Sequence, residues 1–239
     1  MSTILHVTHW KAGSQWIYRI LRDCVPDRIV PPEVGNRQFL ESPLHPGMVY
    51  PTLYVTKQEF DEVDVGHDWR RFVIIRDLRD TLVSAYFSIK ISHPLLPKTP
   101  IERNRSKLEA LGMDDGLTYL MDEWLPDSAR IQASWLEAGE PLIRYEELLE
   151  NDLEILGRVL LDECSLPASS ERLREAVLAN RFDQLTGGRR RGQEDITAHE
   201  RKGVAGDWRN YFSDAVKQAF KARYGDLLVA SGYESDLAW

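Results

Sequence analysis

The chain has 239 residues, 43% hydrophobic and 28% charged, the proportions of a soluble globular protein and not of a disordered tail, a collagen-like repeat or a disulfide-stapled miniprotein. Thirty basic against thirty-eight acidic side chains leave a net charge of −8, which argues against general nucleic-acid binding but leaves room for a local basic pocket. Cys24 and Cys164 form no framework and lack metal-ligand spacing, so a reduced, cytoplasmic protein is expected. No apolar run is long enough to span a bilayer, and Met1–His6 lacks a basic-then-apolar leader, so neither a membrane partner nor secretion is expected.

In chain order, Thr3–Val7 predicts a short strand. Trp16, Ile17, Ile20, Leu21 and Cys24 then share one face of a helix that Pro26 ends. Pro31–Pro51 reads as a long Pro- and Gly-containing excursion, and Leu53–Thr56 as a second strand. The continuous apolar run Phe72–Ile75 is that of a strand buried on both faces of a parallel sheet. Asp80 is expected to cap the next helix, with Leu82, Ala85, Tyr86 and Ile89 as its apolar stripe and Thr81, Ser84 and Ser88 opposite. His93–Arg105 reads as a Pro-rich, charged loop. Leu117–Leu136 reads as helical with a break at Pro126, and Leu142–Arg144 as a fourth strand. Leu148, Leu149, Leu153, Leu156, Val159 and Leu160 carry another helix, and Thr186–Glu194 is a locally basic loop. Ser213–Val229 predicts a last helix, with Val216, Phe220, Tyr224 and Leu227 inward. Strand–helix alternation with short links predicts an α/β fold of three layers, a parallel sheet covered by helices, in a single domain 1–239.

Three stretches carry candidate chemistry. Lys11-Ala12-Gly13-Ser14-Gln15-Trp16 lies at a strand-to-helix junction, where small residues let backbone N–H groups curl toward an anion and the helix adds its positive end. The lysine precedes the glycine, so this is not the common nucleotide loop, and a turn with a solvated lysine reads equally well. Arg76 follows the Phe72–Ile75 strand, where ligands of open parallel sheets bind, and with Ser84 it offers a charged fork and a hydroxyl to one phosphate. Each has an ordinary alternative: an ion pair of Arg76 with Asp77 or Asp80, or a polar helix surface for Ser84. Arg201-Lys202-Gly203 opens RKGVAGDWRNYFS, a second phosphate cradle or a charged surface loop.

Together, KAGSQW, R-x7-S and RKGVAGDWRNYFS, in this order, resemble the cytosolic-type sulfotransferases, which use 3′-phosphoadenosine 5′-phosphosulfate (PAPS) as sulfuryl donor. The resemblance implies a three-layer, P-loop-like α/β fold and transfer from PAPS to a hydroxyl, with an amine as the alternative, of a small organic acceptor. It assigns Lys11 to the leaving phosphate, Ala12, Gly13, Ser14 and Gln15 to the loop around the 5′-phosphate, and Trp16, Tyr145 and Phe182 to adenine. Trp16 and Phe182 also suit plain packing roles. Arg76, Ser84, Arg201, Lys202 and Gly203 are assigned to the 3′-phosphate. Sulfuryl transfer is an in-line displacement, and a cation such as Lys11 stabilises the charge that builds on the leaving oxygen. No metal is expected, because no His/Cys/carboxylate cluster has ligand spacing. Members of the family are often dimers, so a homodimer is among the expected states.

The chain departs from the family pattern where the catalytic base belongs. A K-T-H stretch is usual there, and Val55-Thr56-Lys57-Gln58-Glu59 stands in its place. Lys57 occupies the nearest position and acts as a base only if its surroundings favour the free amine. Glu59, His9 and His93 are the other candidates. The missing histidine also admits a protein that binds the nucleotide without turning it over. The arginines of Thr186–Glu194 form a solvated face, a lid over the donor or a landing site for an anionic acceptor.

Overall fold

The computed structural model describes residues 1–32, 38–94 and 99–239. Parts of the expected excursion 31–51 and of the loop 93–105 therefore lie outside the described residues. The strands are β1 Thr3–Thr8, β2 Val49–Leu53, β3 Trp69–Ile75 and β4 Leu142–Arg144. The helices are α1 Ser14–Cys24, α2 Gln38–Glu41, α3 Lys57–Asp61, α4 Leu78–Phe87, α5 Pro100–Glu109, α6 Met113–Glu123, α7 Leu125–Glu137, α8 Tyr145–Leu156, α9 Ser170–Ala179, α10 Phe182–Leu185 and α11 Asp214–Ala230. The chain forms two compact units, one of Met1–Arg76 with Arg130–Gly188 and one of Asp77–Ala129 with Arg189–Trp239.

The first unit holds a four-stranded sheet in the order β2-β1-β3-β4 with every pairing parallel. Register puts Ile4 beside Val49, Thr8 beside Ile74 and Ile74 beside Ile143. That face, with Phe72, packs on Ile17, Ile20 and Leu21 of α1, Leu148 and Leu156 of α8, and Leu173 and Val177 of α9. On the opposite face Arg71 lies over the rings of Phe60, Trp69 and Trp135. A layer of helix thus covers each side of the sheet, the α/β architecture the alternation predicts. β2 runs from Val49 to Leu53, earlier than the expected Leu53–Thr56. Thr56 instead caps α3, in a reciprocal box with Glu59. Pro51 sits inside β2, which the sheet tolerates because β2 is an edge strand.

The second unit is helical and centres on α4, whose residues from Leu78 to Phe87 are buried except Ser84. The expected polar stripe is therefore mostly interior: Thr81 and Ser88 are buried. The cap is Asp77, whose side chain accepts from Arg79 N, and not Asp80. Asp80 is buried in the first turn and accepts from Gly206 N at 2.6 Å and Trp208 N at 2.9 Å. Part of the expected loop 93–105 is helix α5, which Thr99 caps and Pro100 opens. The break in 117–136 falls at Trp124, between α6 and α7, with Pro126 in the first turn of α7. In α11, Val216, Phe220 and Leu228 are buried, and Tyr224 and Leu227 pack partly exposed beside them.

Candidate active site

Because all four strands are parallel, their carboxyl ends lie on one edge of the sheet, and the residue that follows each strand carries polar chemistry: His9 after β1, Tyr54 after β2, Arg76 after β3 and Tyr145 after β4. The loop 9–13 is bent by two left-handed residues, Lys11 at φ 66 and Gly13 at φ 86. A non-glycine residue is costly there, and such strain clusters at functional sites. The turn delivers the chain into α1 with no side-chain cap, so the first-turn amides of Ser14, Gln15 and Trp16 have no intrahelical acceptor.

Side chains tie this loop to the neighbouring strand ends. Arg76 donates from Nη1 to Lys11 O at 2.8 Å, and its guanidinium lies 4.6 Å from the centre of the Tyr145 ring. Trp16 meets Tyr145 edge-on at 6.1 Å, and its buried Nε1 has no hydrogen-bond partner. Gly13 packs so closely on Tyr145 that an added Cβ would lie 2.8 Å from the ring. Ser14 Oγ is 2.8 Å from Tyr54 OH, and Tyr54 stacks on Trp10 at 4.6 Å. The structure thus gathers Lys11, Gly13, Ser14, Trp16, Arg76 and Tyr145. Phe182 opens α10, positioned through the neighbouring Arg181, which pairs with Asp152 of α8 at 2.7 Å. Within the second unit, Arg79 holds Asp77 at 2.7 Å.

The base candidates have structural employment. His9 Nε2 accepts from Arg76 N at 3.1 Å, which makes Nδ1 the protonated nitrogen, donating to Trp10 O at 3.1 Å. Burial, reinforced by the Arg76 charge, lowers its pKa to about 4, so it is a neutral strut between two loops with no lone pair to offer a substrate. Glu59 Oε2 accepts from Thr56 N and Oγ1 at 2.8 and 2.9 Å. Lys57 Nζ sits on both carboxylate oxygens of Asp61 at 2.5 and 2.6 Å. His93 belongs to the second unit, where its Nδ1 is 2.9 Å from Pro94 O.

The second unit builds its own cationic loop. Asp207 is buried and takes Arg201 at 2.5 Å, Lys202 at 2.6 Å and Asn210 Nδ2 at 2.8 Å. Burial opposes its ionisation, but those donors prevail and hold the carboxyl below the ordinary range. Glu194 also pairs with Arg201 and accepts from Tyr211 OH at 2.7 Å. Arg189, one of the three loop arginines, donates to Arg201 O at 2.9 Å and Glu200 O at 2.6 Å, bracing the loop that carries the motif. Gly203 takes φ 66. Asp80 anchors the loop through Gly206 and Trp208 to α4, the helix that carries Ser84. The sequence does not single out Tyr54, Asp80 as an anchor or Asp207. Only the GDW of the motif hints at the last. Among the described residues, no group of three or more His, Cys, Asp or Glu side chains is placed to hold a metal ion.

A parallel α/β sheet with an uncapped helix start, a left-handed loop and an arginine at adjacent strand ends defines a protein built to bind an anionic ligand. The sulfotransferase-domain family model matches residues 67–232, and the chain belongs to that family, whose reaction is sulfuryl transfer. It is 22% identical to zebrafish (Danio rerio) sulfotransferase 6B1 over 251 residues, covering 95% of this chain and 79% of that one. Its fold matches mouse sulfotransferase SULT7A1 complexed with PAP, with a TM-score of 0.67 at 17% identity over 99% of this chain and 87% of the other. It also matches retinol dehydratase in a complex with retinol and PAP, with a TM-score of 0.56 at 14% identity over 95% and 81% of the two chains. No helix among the described residues is long and apolar enough to cross a membrane.

Proposed function

We propose that this sulfotransferase takes its sulfuryl group from PAPS and passes it to a hydroxyl, with an amine as the alternative, of a small organic acceptor. The observation that carries the reading is the His9–Ser14 loop, with its two left-handed residues and uncapped helix start, tied to Arg76 and packed against Tyr145. The unpartnered Trp16 Nε1 and the uncapped first turn of α1 fit a ligand with an aromatic ring and an anionic group. PAP in the structures of similar fold supports the same donor.

PAPS would supply a sulfuryl group on a phosphate leaving group. In the proposed mechanism, the amides of Gly13, Ser14 and Gln15 hold the 5′-phosphate and Lys11 stabilises the charge that grows on it during transfer. Trp16, Tyr145 and Phe182 take the adenine. Arg76, Ser84, Arg201, Lys202 and Gly203 are assigned to the 3′-phosphate on their motifs and residue types. We take 1–239 as one sulfotransferase domain, since the family match runs through residues of both compact units, and place it in the cytoplasm, in keeping with two free, buried thiols.

The engagement of His9, Glu59 and Lys57 favours a second reading, a protein that binds the bisphosphate without turnover. Incubation with PAPS and a panel of phenols, alcohols, sterols and amines, read by mass spectrometry for the sulfated product, separates the two. A sulfate ester with stoichiometric adenosine 3′,5′-bisphosphate (PAP) is expected. Tight PAP binding with no product from any acceptor would favour the second reading.

A further inference from the structure

We propose that Tyr54 is a positioning residue: its phenol donates to Ser14 Oγ and so turns the Ser14 hydroxyl proton toward the anion held by the loop, an inference that rests on the proposed donor reading. Tyr54 is the first residue beyond β2, held by its stack on Trp10 at 4.6 Å. Its hydroxyl lies 2.8 Å from Ser14 Oγ, and Ser14, itself buried, opens α1. A serine hydroxyl has one proton and two acceptor sites, so a serine that accepts from a tyrosine keeps its proton for a third group. Linked hydroxyls polarise one another, which strengthens the final bond to an anion. Burial raises the Tyr54 pKa above its ordinary value, against a smaller opposing effect of Ser14, so the phenol keeps its proton near neutrality. A phenol that keeps its proton is no base and has that proton to donate to Ser14 Oγ. The route from residue to ligand is therefore Tyr54 O–H to Ser14 Oγ, then Ser14 O–H to a 5′-phosphate oxygen.

The experiment compares wild type, Tyr54→Phe, Ser14→Ala and the double variant, titrated calorimetrically with PAP and with adenosine 3′-monophosphate, which lacks the 5′-phosphate. Phenylalanine keeps the stack on Trp10, so the fold is retained, and a thermal melt verifies this. Each single variant is expected to lose about tenfold in PAP affinity, with the double losing no more than the weaker single. Affinity for adenosine 3′-monophosphate should be unchanged. Equal losses for both ligands, additive losses in the double variant, or no loss in Tyr54→Phe would each overturn the relay. Failure of wild type to bind PAP would withdraw the donor reading itself, and the role of Tyr54 with it.

Discussion

Gly13→Ala perturbs the loop at its tightest point. Gly13 has φ 86 and ψ 14, a left-handed conformation that costs an alanine roughly 1–2 kcal/mol. Its Cβ would also lie 2.8 Å from Cδ2 and Cε2 of Tyr145, well inside the ~3.5 Å of a good carbon contact. The Tyr145 ring has neighbours that resist its withdrawal, with Arg76 4.6 Å from its centre and Trp16 edge-on at 6.1 Å. Forced repacking of this kind adds about 1–3 kcal/mol. The total is roughly 2–5 kcal/mol, read as a lower urea midpoint at constant slope by tryptophan fluorescence. In a Tyr145→Ala background the steric part vanishes and Gly13→Ala should cost only about 1–2 kcal/mol. Equal costs in the two backgrounds would show that the ring is not the obstacle. A cost below about 0.5 kcal/mol in wild type, no more than an ordinary surface change, would refute the left-handed turn itself.

Other expectations concern charge. His6 and His9 are both lowered by burial to about 4 from 6.5, so the unfolded chain takes up protons first as pH falls. Their contribution is intact above about pH 6.5, and by pH 5 roughly 2 kcal/mol per histidine is lost; a urea midpoint flat from pH 7.5 to 5 would contradict this. Lys11→Ala should cut turnover by about 10²–10³ while weakening PAP much less, and unchanged turnover would remove Lys11 from the mechanism. Asp207→Asn leaves Arg201 and Lys202 without the carboxylate that neutralises them, at a cost on the order of 2–3 kcal/mol in the unfolding free energy. A change within 0.5 kcal/mol, about the scatter of surface substitutions, would mean that the network is incidental.

The elements with strong periodicity were legible in the sequence: β1, α1, β3, β4 and α11 lie where their apolar spacing puts them. Elsewhere tertiary partners decided. Asp80 looks like a helix cap, but Asp77 takes the cap and Asp80 is drawn inward by two backbone amides far along the chain. Thr81 and Ser88 read as surface because hydroxyls usually are, and nothing local reports that α4 is covered almost all round. The helix signal Thr99-Pro100 was masked by the prolines and charges around it. Placing β2 three to four residues late put Tyr54 inside a strand, and so concealed its position at a strand end beside Ser14. The anion-binding motifs were legible because they are contiguous. The ion pairs that restrain Arg201 and Lys202, and the hydrogen bonds that occupy both ring nitrogens of His9, join groups whose geometry no spacing rule encodes.

Calorimetric titration with PAP, run beside adenosine 5′-monophosphate and with no metal added, tests the donor site most directly. The account predicts clear preference for the bisphosphate, with the 3′-phosphate supplying the difference. No binding, or equal and weak binding of both nucleotides, would contradict it.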